Sequence, residues 1–468
     1  MTPLRSFYWV FAVLAFAVPT FAQEESPMAA EFRREREAVA HSCGDLTFGA
    51  LPACAVTLVT ANPLHVTFGS IAPQNGLAVG PAFVGHYTPS ETLRLTWSTD
   101  VVAAPGGAWR VGAYVNLVPT NVVAPIPVFE GDTSADPGVE TYPVYSLYAQ
   151  AISLDKLSFF GLGPTSTDAA RTSWAMRQTI VGGGVLFPLR RTGRFGVALT
   201  GGVSGRLVRV GDGDDPDVPG ISRLFSANEA PGLGDRRKYL QFTEGVRVNP
   251  SAWTYVRPSY RFDFDQYVGG SRRSFSRWTL DLTHEFPFYR TFKSTPRTGN
   301  TPNDCSLSLS DHACPSSSRN RYGALSFRIL AIGSRARERG AVPFYLQPTL
   351  GGADINNAKL LTSFNDYRFR APNLLAMQLT LEHTLFAVRL PRDITIPLGA
   401  FVMAEQGKVG ERWNSVGHFK RSYTAGLTIR AGGFPEVFLL FAWGREGSHF
   451  SGSVSPALLG GSPRPSLH

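Results

Sequence analysis

Residues 343–386 read PFYLQPTLGGADINNAKLLTSFNDYRFRAPNLLAMQLTLEHTLF. From Asn373 onward, Leu375, Met377, Leu379 and Leu381 alternate with Ala376, Gln378, Thr380 and Glu382. Period-2 alternation of this kind describes a strand with one apolar and one polar face. The residues before it form a long stretch rich in Gly, Asn and Pro, closing on Tyr367-Arg368-Phe369-Arg370. A long polar loop feeding a two-faced strand is ordinary in an outer-membrane barrel and unusual in a soluble core.

The same rhythm recurs along the chain. Leu93, Leu95, Trp97, Thr99 and Val101 alternate with Arg94, Thr96, Ser98 and Asp100, which places Arg94 and Asp100 on a wet face. Trp278, Leu280 and Leu282 oppose Arg277, Thr279, Asp281 and Thr283; Tyr423, Ala425, Leu427 and Ile429 oppose Thr424, Gly426, Thr428 and Arg430. Strands are expected at 64–71, 76–87, 91–103, 107–117, 144–160, 172–188, 193–210 and 237–249. They continue at 252–266, 273–288, 321–335, 373–390, 394–405, 419–431, 434–445 and 447–456. The fold class is therefore all-β, a transmembrane antiparallel barrel of about 16 strands with a short N-terminal helical leader. With the first strand running up, the loops at 211–236, 336–372 and 406–418 emerge on the outside, and the insert at 289–320 faces the periplasm.

Length and composition agree with one large barrel. The chain has 468 residues, 43% apolar and 12% aromatic, with 47 Gly and 32 Phe. Arg5, the apolar run Phe7 to Val18, and small residues at Thr20 and Ala22 describe a signal peptide cleaved before Gln23. After Gln23 no apolar run reaches the roughly 20 residues a spanning helix needs. The expected division is a signal peptide at 1–22, a periplasmic arm or plug at 23–63, the barrel at 64–456 and a tail at 457–468. The arm opens with the charged, helix-prone AAEFRREREAVA at 29–40.

The four cysteines fall in close pairs, Cys43 with Cys54 and Cys305 with Cys314. An even count in an exported chain favours two local disulfides, and no CxxC spacing or clustered His supports a metal site. The net charge of +9 is spread along strands and loops. It suits a lumen and lipid headgroups better than a nucleic-acid patch. No G-x-S-x-G elbow or Walker A loop occurs, and no arrangement of nucleophile and base shows itself. The reading is non-enzymatic, with no cofactor. His284 and His383, inside strands, are read as lumen or girdle residues. The run Asp212, Asp214, Asp215 and Asp217 lacks the spacing of a calcium loop and reads as a solvated loop.

Several pieces, in order, resemble the bacterial surface-antigen superfamily, the barrels of outer-membrane assembly and translocation proteins of the BamA and TamA type and of two-partner secretion. They are Phe159-Phe160-Gly161-Leu162-Gly163-Pro164, Pro343-Phe344-Tyr345, Leu350-Gly351-Gly352, Arg368-Phe369-Arg370, Glu382, Phe401 to Val409, and Arg445-Glu446-Gly447. The resemblance covers roughly residues 64 to 456. It implies that the long loop carries an Arg-Gly-Phe tip folded back onto a lumenal carboxylate. Here the tip reads Thr362-Ser363-Phe364, so the loop's lumen contacts are expected at Phe364, Arg368 and Arg370. The 41 residues from Gln23 to Pro63 are too few for the family's periplasmic POTRA domains. The function the resemblance implies is outer-membrane biogenesis or translocation, with a passive channel or uptake receptor as the alternative. Outer-membrane lipids, lipopolysaccharide, and periplasmic or secreted client proteins are the expected partners of a monomer.

Overall fold

The computed structural model describes residues 40, 64–90, 92–119, 142–192, 195–250, 256–270, 272–294, 317–337, 340–389, 395–415, 417–429, 437–454 and 465–467. The first strands are β1 (Leu64–Ser70), β2 (Leu77–Ser90), β3 (Leu93–Ala103), β4 (Trp109–Pro119), β5 (Val144–Phe159) and β6 (Thr172–Thr192). Next come β7 (Phe195–Asp212), β8 (Arg236–Pro250), β9 (Arg257–Val268), β10 (Phe275–Ser294) and β11 (Ser317–Ala336). Two short strands, β12 (Thr349–Leu350) and β13 (Phe369–Arg370), precede β14 (Asn373–Arg389) and β15 (Thr395–Gly410). The last are β16 (Lys420–Ile429), β17 (Val437–Gly444) and β18 (Gly447–Val454).

Sixteen of these strands form one sheet in strict chain order, every neighbouring pair antiparallel, and β12 with β13 makes a separate ladder. The sheet curls until β1 and β18 lie side by side, with Cα atoms within 8 Å, although no ladder joins them among the described residues. The sixteen expected strands are all present. The largest shift is at β10 and β11, whose ladder runs on to Ser294 and Ser317 and shortens the expected insert at 289–320.

Burial is inverted relative to a soluble protein. The outward residues are apolar and exposed: Leu147, Val181, Val203, Leu207, Leu381 and Val402 are 43–56% accessible. The inward residues of the same strands are polar and buried, among them Gln150, Gln178, Ser204, Arg206 and Glu405, none above 4%. Such an outward apolar belt is what hydrocarbon contact requires. The expected wet face of β3 is the lumenal one: Asp100 accepts from Arg110 on β4, with both side chains nearly inaccessible. Across β10 and β11, Asp281 holds Arg328 through two 2.8 Å bonds.

Aromatic pairs line the outward face. Tyr423 stacks on Trp443, and Trp278 on Trp413. His284 bonds the Tyr260 hydroxyl at 2.9 Å, and His383, exposed, bonds Tyr289. Both histidines alternate with lumen-facing neighbours, so both belong to the outer surface rather than the lumen.

Antiparallel order gathers the connections 71–76, 104–108, 160–171, 213–235, 269–274, 337–372, 411–419 and 445–446 at one end. At that end an apolar core forms inside the sheet. Phe159, Trp174, Met176, Ile221, Phe344 and Tyr345 are all at most 1% exposed within it. A second cluster, including Leu350, Leu361, Phe364, Phe369 and Val409, packs against β11, β14 and β15.

Candidate functional site

The loop 337–372 supplies much of both clusters. Every residue from Val342 to Ala353 is buried, as are Leu360 to Phe364 and Tyr367 to Ala371. Phe364, Arg368 and Arg370 are among these buried residues. The loop's glycines and asparagines make turns, but its apolar residues are too many to leave in water and fold inward. The β12–β13 ladder, pairing Thr349 with Arg370 and Leu350 with Phe369, closes the loop on itself.

Arg368 joins three connections. Its guanidinium makes a two-pronged bond to Glu446 in the β17–β18 turn, 2.9 and 3.0 Å, and two bonds to Ser166 in the β5–β6 loop, 3.0 and 2.9 Å. The ring of Phe369 lies 4.5 Å from its charge and that of Phe160 5.1 Å. Planar, bidentate and stacked contacts of this kind suit arginine and no other side chain. The neighbouring Gly163, at φ +87°, donates its N–H to the Arg370 carbonyl at 2.8 Å, which ties the β5–β6 loop to the same ladder.

Among the described residues Arg370 has no carboxylate in its fork. It donates to the Phe344 carbonyl at 2.6 Å and lies over Trp174 and Phe344. Burial pulls its guanidinium down to about 10, so it stays charged at neutral pH. The Phe344–Leu346 turn it grips is held from other sides as well. Arg277 of β10 donates to the Leu346 carbonyl, and the Tyr345 hydroxyl meets Tyr239 at 2.9 Å and Asp235 at 3.2 Å.

The tip is fixed by its backbone. The Thr362 N–H donates to Glu405 of β15 at 2.7 Å, and Gln378 of β14 donates to the other oxygen of that carboxylate at 2.8 Å. The Ser363 N–H donates to the Ser422 hydroxyl of β16 at 2.9 Å. Phe364, 3% exposed, packs edge-on against Phe369. One main-chain amide and one side-chain amide thus occupy the two oxygens of the Glu405 carboxylate. Charge-assisted N–H bonds to a buried carboxylate are among the stronger kind.

Between ladder and tip, Asp354 organises a turn by accepting from the N–H groups of Asn356 (2.9 Å) and Ala358 (2.8 Å). Asn356 in turn holds residues from the tail: its Oδ1 accepts from Leu467 N–H at 2.8 Å, and its Nδ2 donates to Ser466 Oγ at 3.3 Å. With its carboxamide oxygen towards Arg206 Nη1 (3.2 Å), Gln178 of β6 donates to the Leu467 carbonyl, also at 3.2 Å. The Leu467 side chain, 5% exposed, completes the inner core.

Burial raises the Asp354 carboxyl to about 6, against the two N–H bonds that lower it. A carboxyl whose native value lies above its unfolded value favours the fold most at low pH, and loses that contribution as pH rises through about 6. The expected outcome is a higher thermal midpoint at pH 5 than at pH 7.5. Asp354→Asn, which keeps the accepting oxygen, should flatten this part of the profile in a tryptophan-fluorescence melt; an unaltered slope would contradict the assignment.

No family model matches the sequence, and no curated protein matches it. Among solved structures the chain resembles CdiB from Escherichia coli, at 14% identity and a TM-score of 0.47, over 84% of this chain and 61% of that one. CdiB from Acinetobacter baumannii is similar at 12% identity and a TM-score of 0.45, over 84% and 58%. BamA from Haemophilus ducreyi lacking POTRA domains 1-3 is similar at 9% identity and a TM-score of 0.44, over 84% and 70%. The chain spans about three fifths of the length of the CdiB chains.

Several expectations fall elsewhere. Cys43, Cys54, Cys305 and Cys314 lie outside the described residues, as do the signal peptide and, apart from the helical Ala40, the arm at 23–63. The aspartate run serves its own loop: Asp212 accepts from the N–H and hydroxyl of Ser222, and Asp215 accepts from Asp217 N–H. Among the described residues no three His, Cys, Asp or Glu side chains are grouped to hold a metal. The partners of the loop were missed in the sequence. Glu405 had a signal, being the only acid in TIPLGAFVMAEQGKVG at 395–410. Glu446 stood in the Arg445-Glu446-Gly447 piece with no sign of its partner, and Ser166 and Asn356 had no signal, because only the folded chain brings them to Arg368 and Leu467.

Proposed function

We propose that this chain is an outer-membrane β-barrel of the assembly or translocation kind, held closed at rest by its own inward-folded loop. The outward apolar belt with its aromatic pairs supports a membrane-spanning barrel. A signal peptide at 1–22 would deliver the chain there, and unfolded polypeptide clients, periplasmic or secreted, would be its cargo. The observation that carries the reading is the Arg368 clamp, which binds the loop to Ser166 and to the Glu446 carboxylate. A loop pinned by one arginine to two connections that are not beside it in the sheet suits a gate element, whereas a passive channel needs an unobstructed lumen. Purified, folded protein in a planar bilayer is expected to pass no steady ion current. A stable open conductance in the unmodified protein would favour the passive channel and remove the gate.

A further inference from the structure

The outward face of β6, β7 and β8 carries a row of cations near the loop end. Arg177 stands directly opposite Arg209, and Arg209 directly opposite Arg236. Lys238, paired with Leu207, sits one step lower on the same face. All four are exposed, while the alternating neighbours Met176, Gln178, Val208, Val210 and Tyr239 are buried inward. With strands roughly 4.8 Å apart, the three arginines form a row about 10 Å long.

Like charges directly opposite one another across a ladder repel. Among the described residues no carboxylate lies within 4 Å of any of the four, and three acids on or beside these strands are engaged elsewhere. Asp155 accepts from Ser153, Asp212 from Ser222, and Asp235 pairs with Arg237 and Arg273. The row therefore carries an uncompensated charge. Its position says what compensates it: directly below, the face turns apolar at Val181, Leu207 and Leu240, 56%, 48% and 43% exposed. The cations stand at the upper border of the apolar belt, where acyl chains end and headgroups begin.

We propose that Arg177, Arg209, Arg236 and Lys238 form a binding site for the phosphate groups of a lipid headgroup in the leaflet at the loop end. Guanidinium forks match phosphate oxygens two at a time, and the belt below receives the acyl chains. The site rests on the membrane-spanning reading above. That reading is tested separately, by flotation of the protein with phosphatidylcholine vesicles.

The test reconstitutes the full chain in phosphatidylcholine nanodiscs with or without lipid A, a doubly phosphorylated glycolipid. Lipid A is expected to raise the thermal midpoint of the wild type and to remain bound in native mass spectrometry. The R177Q/R209Q/R236Q variant should retain it roughly tenfold less well. In phosphatidylcholine alone the sign reverses: the variant should melt above the wild type, because the repulsion is gone. A wild type indifferent to lipid A, or a variant that binds it equally, overturns the site. So does an equal rise in midpoint with inorganic phosphate, which would leave no role for the lipid. A wild type that floats but shows no lipid preference loses the site and keeps the barrel.

Discussion

Arg368→Ala combined with Arg370→Ala is expected to lower sharply the temperature at which the barrel loses its compact band on semi-native gels. Arg368 is 3% exposed, and its removal leaves Glu446 without its fork and the Ser166 carbonyl without a donor. Breaking a buried ion pair costs about 3–5 kcal/mol, and the 30% exposure of Glu446 puts this one near the low end. Loss of the charged bond from Arg370 to the Phe344 carbonyl adds about 1.5–3 kcal/mol. Together these amount to roughly 5 kcal/mol of loop docking. Arg368→Lys is not expected to rescue, since an ammonium cannot span both Glu446 oxygens and Ser166 in one plane. An unchanged melting profile in the double variant would show that the loop is held without them.

Gly444→Val should expel the tip while leaving the wall intact. A Cβ at Gly444 would stand 2.2 Å from Ser363 Oγ and 3.1 Å from Ser363 Cβ, and the Arg421 carbonyl at 3.1 Å closes the other side. The serine hydroxyl could turn away from an alanine. It has no room to clear the branched methyls of valine, because Ser363 is itself wholly buried. The tip must then give up the bonds from Thr362 N–H to Glu405 and from Ser363 N–H to Ser422. Valine suits a strand, so the sheet keeps its register. Gly452→Val is the control, since its Cβ would meet nothing nearer than 3.7 Å. Current that appears in planar bilayers with Gly444→Val and not with Gly452→Val is the expected result. Silence in both would mean that the tip does not close the lumen.

The wall was legible in the sequence because a barrel writes its geometry residue by residue. Leu93 to Val101 and Trp278 to Thr283 alternate strictly because lipid and lumen alternate along a strand. The expected export signal and the scarcity of helix-forming segments then left little else for sixteen such segments to form. The loop was harder to read. Its Gly-Gly, Asn-Asn and Asp residues look external, yet Phe344, Leu350, Leu361 and Phe364 between them pack an inner core. Local composition reports turns and does not report which side of a wall they fall on. Arg368 and Arg370 could be singled out as charges flanking Phe369. Their partners could not, because Glu446 lies 78 positions from Arg368 and pairing at that range is set by strand order alone. The same holds for Leu467, whose docking on Asn356 and Gln178 spans the length of the sheet.

The loop tip lies against the inner wall at β15 and β16, and a crosslink tests that placement most directly. Ser363 and Ser422 are both wholly buried, and the Ser363 N–H lies 2.9 Å from the Ser422 hydroxyl, which sets the two residues side by side. In Ser363→Cys with Ser422→Cys, mass mapping without reductant is expected to find a peptide joining the two positions in protein purified from membranes. Two free thiols, with the one introduced at the loop tip open to a membrane-impermeant maleimide from the loop side, would place the tip outside the barrel and contradict the closed lumen.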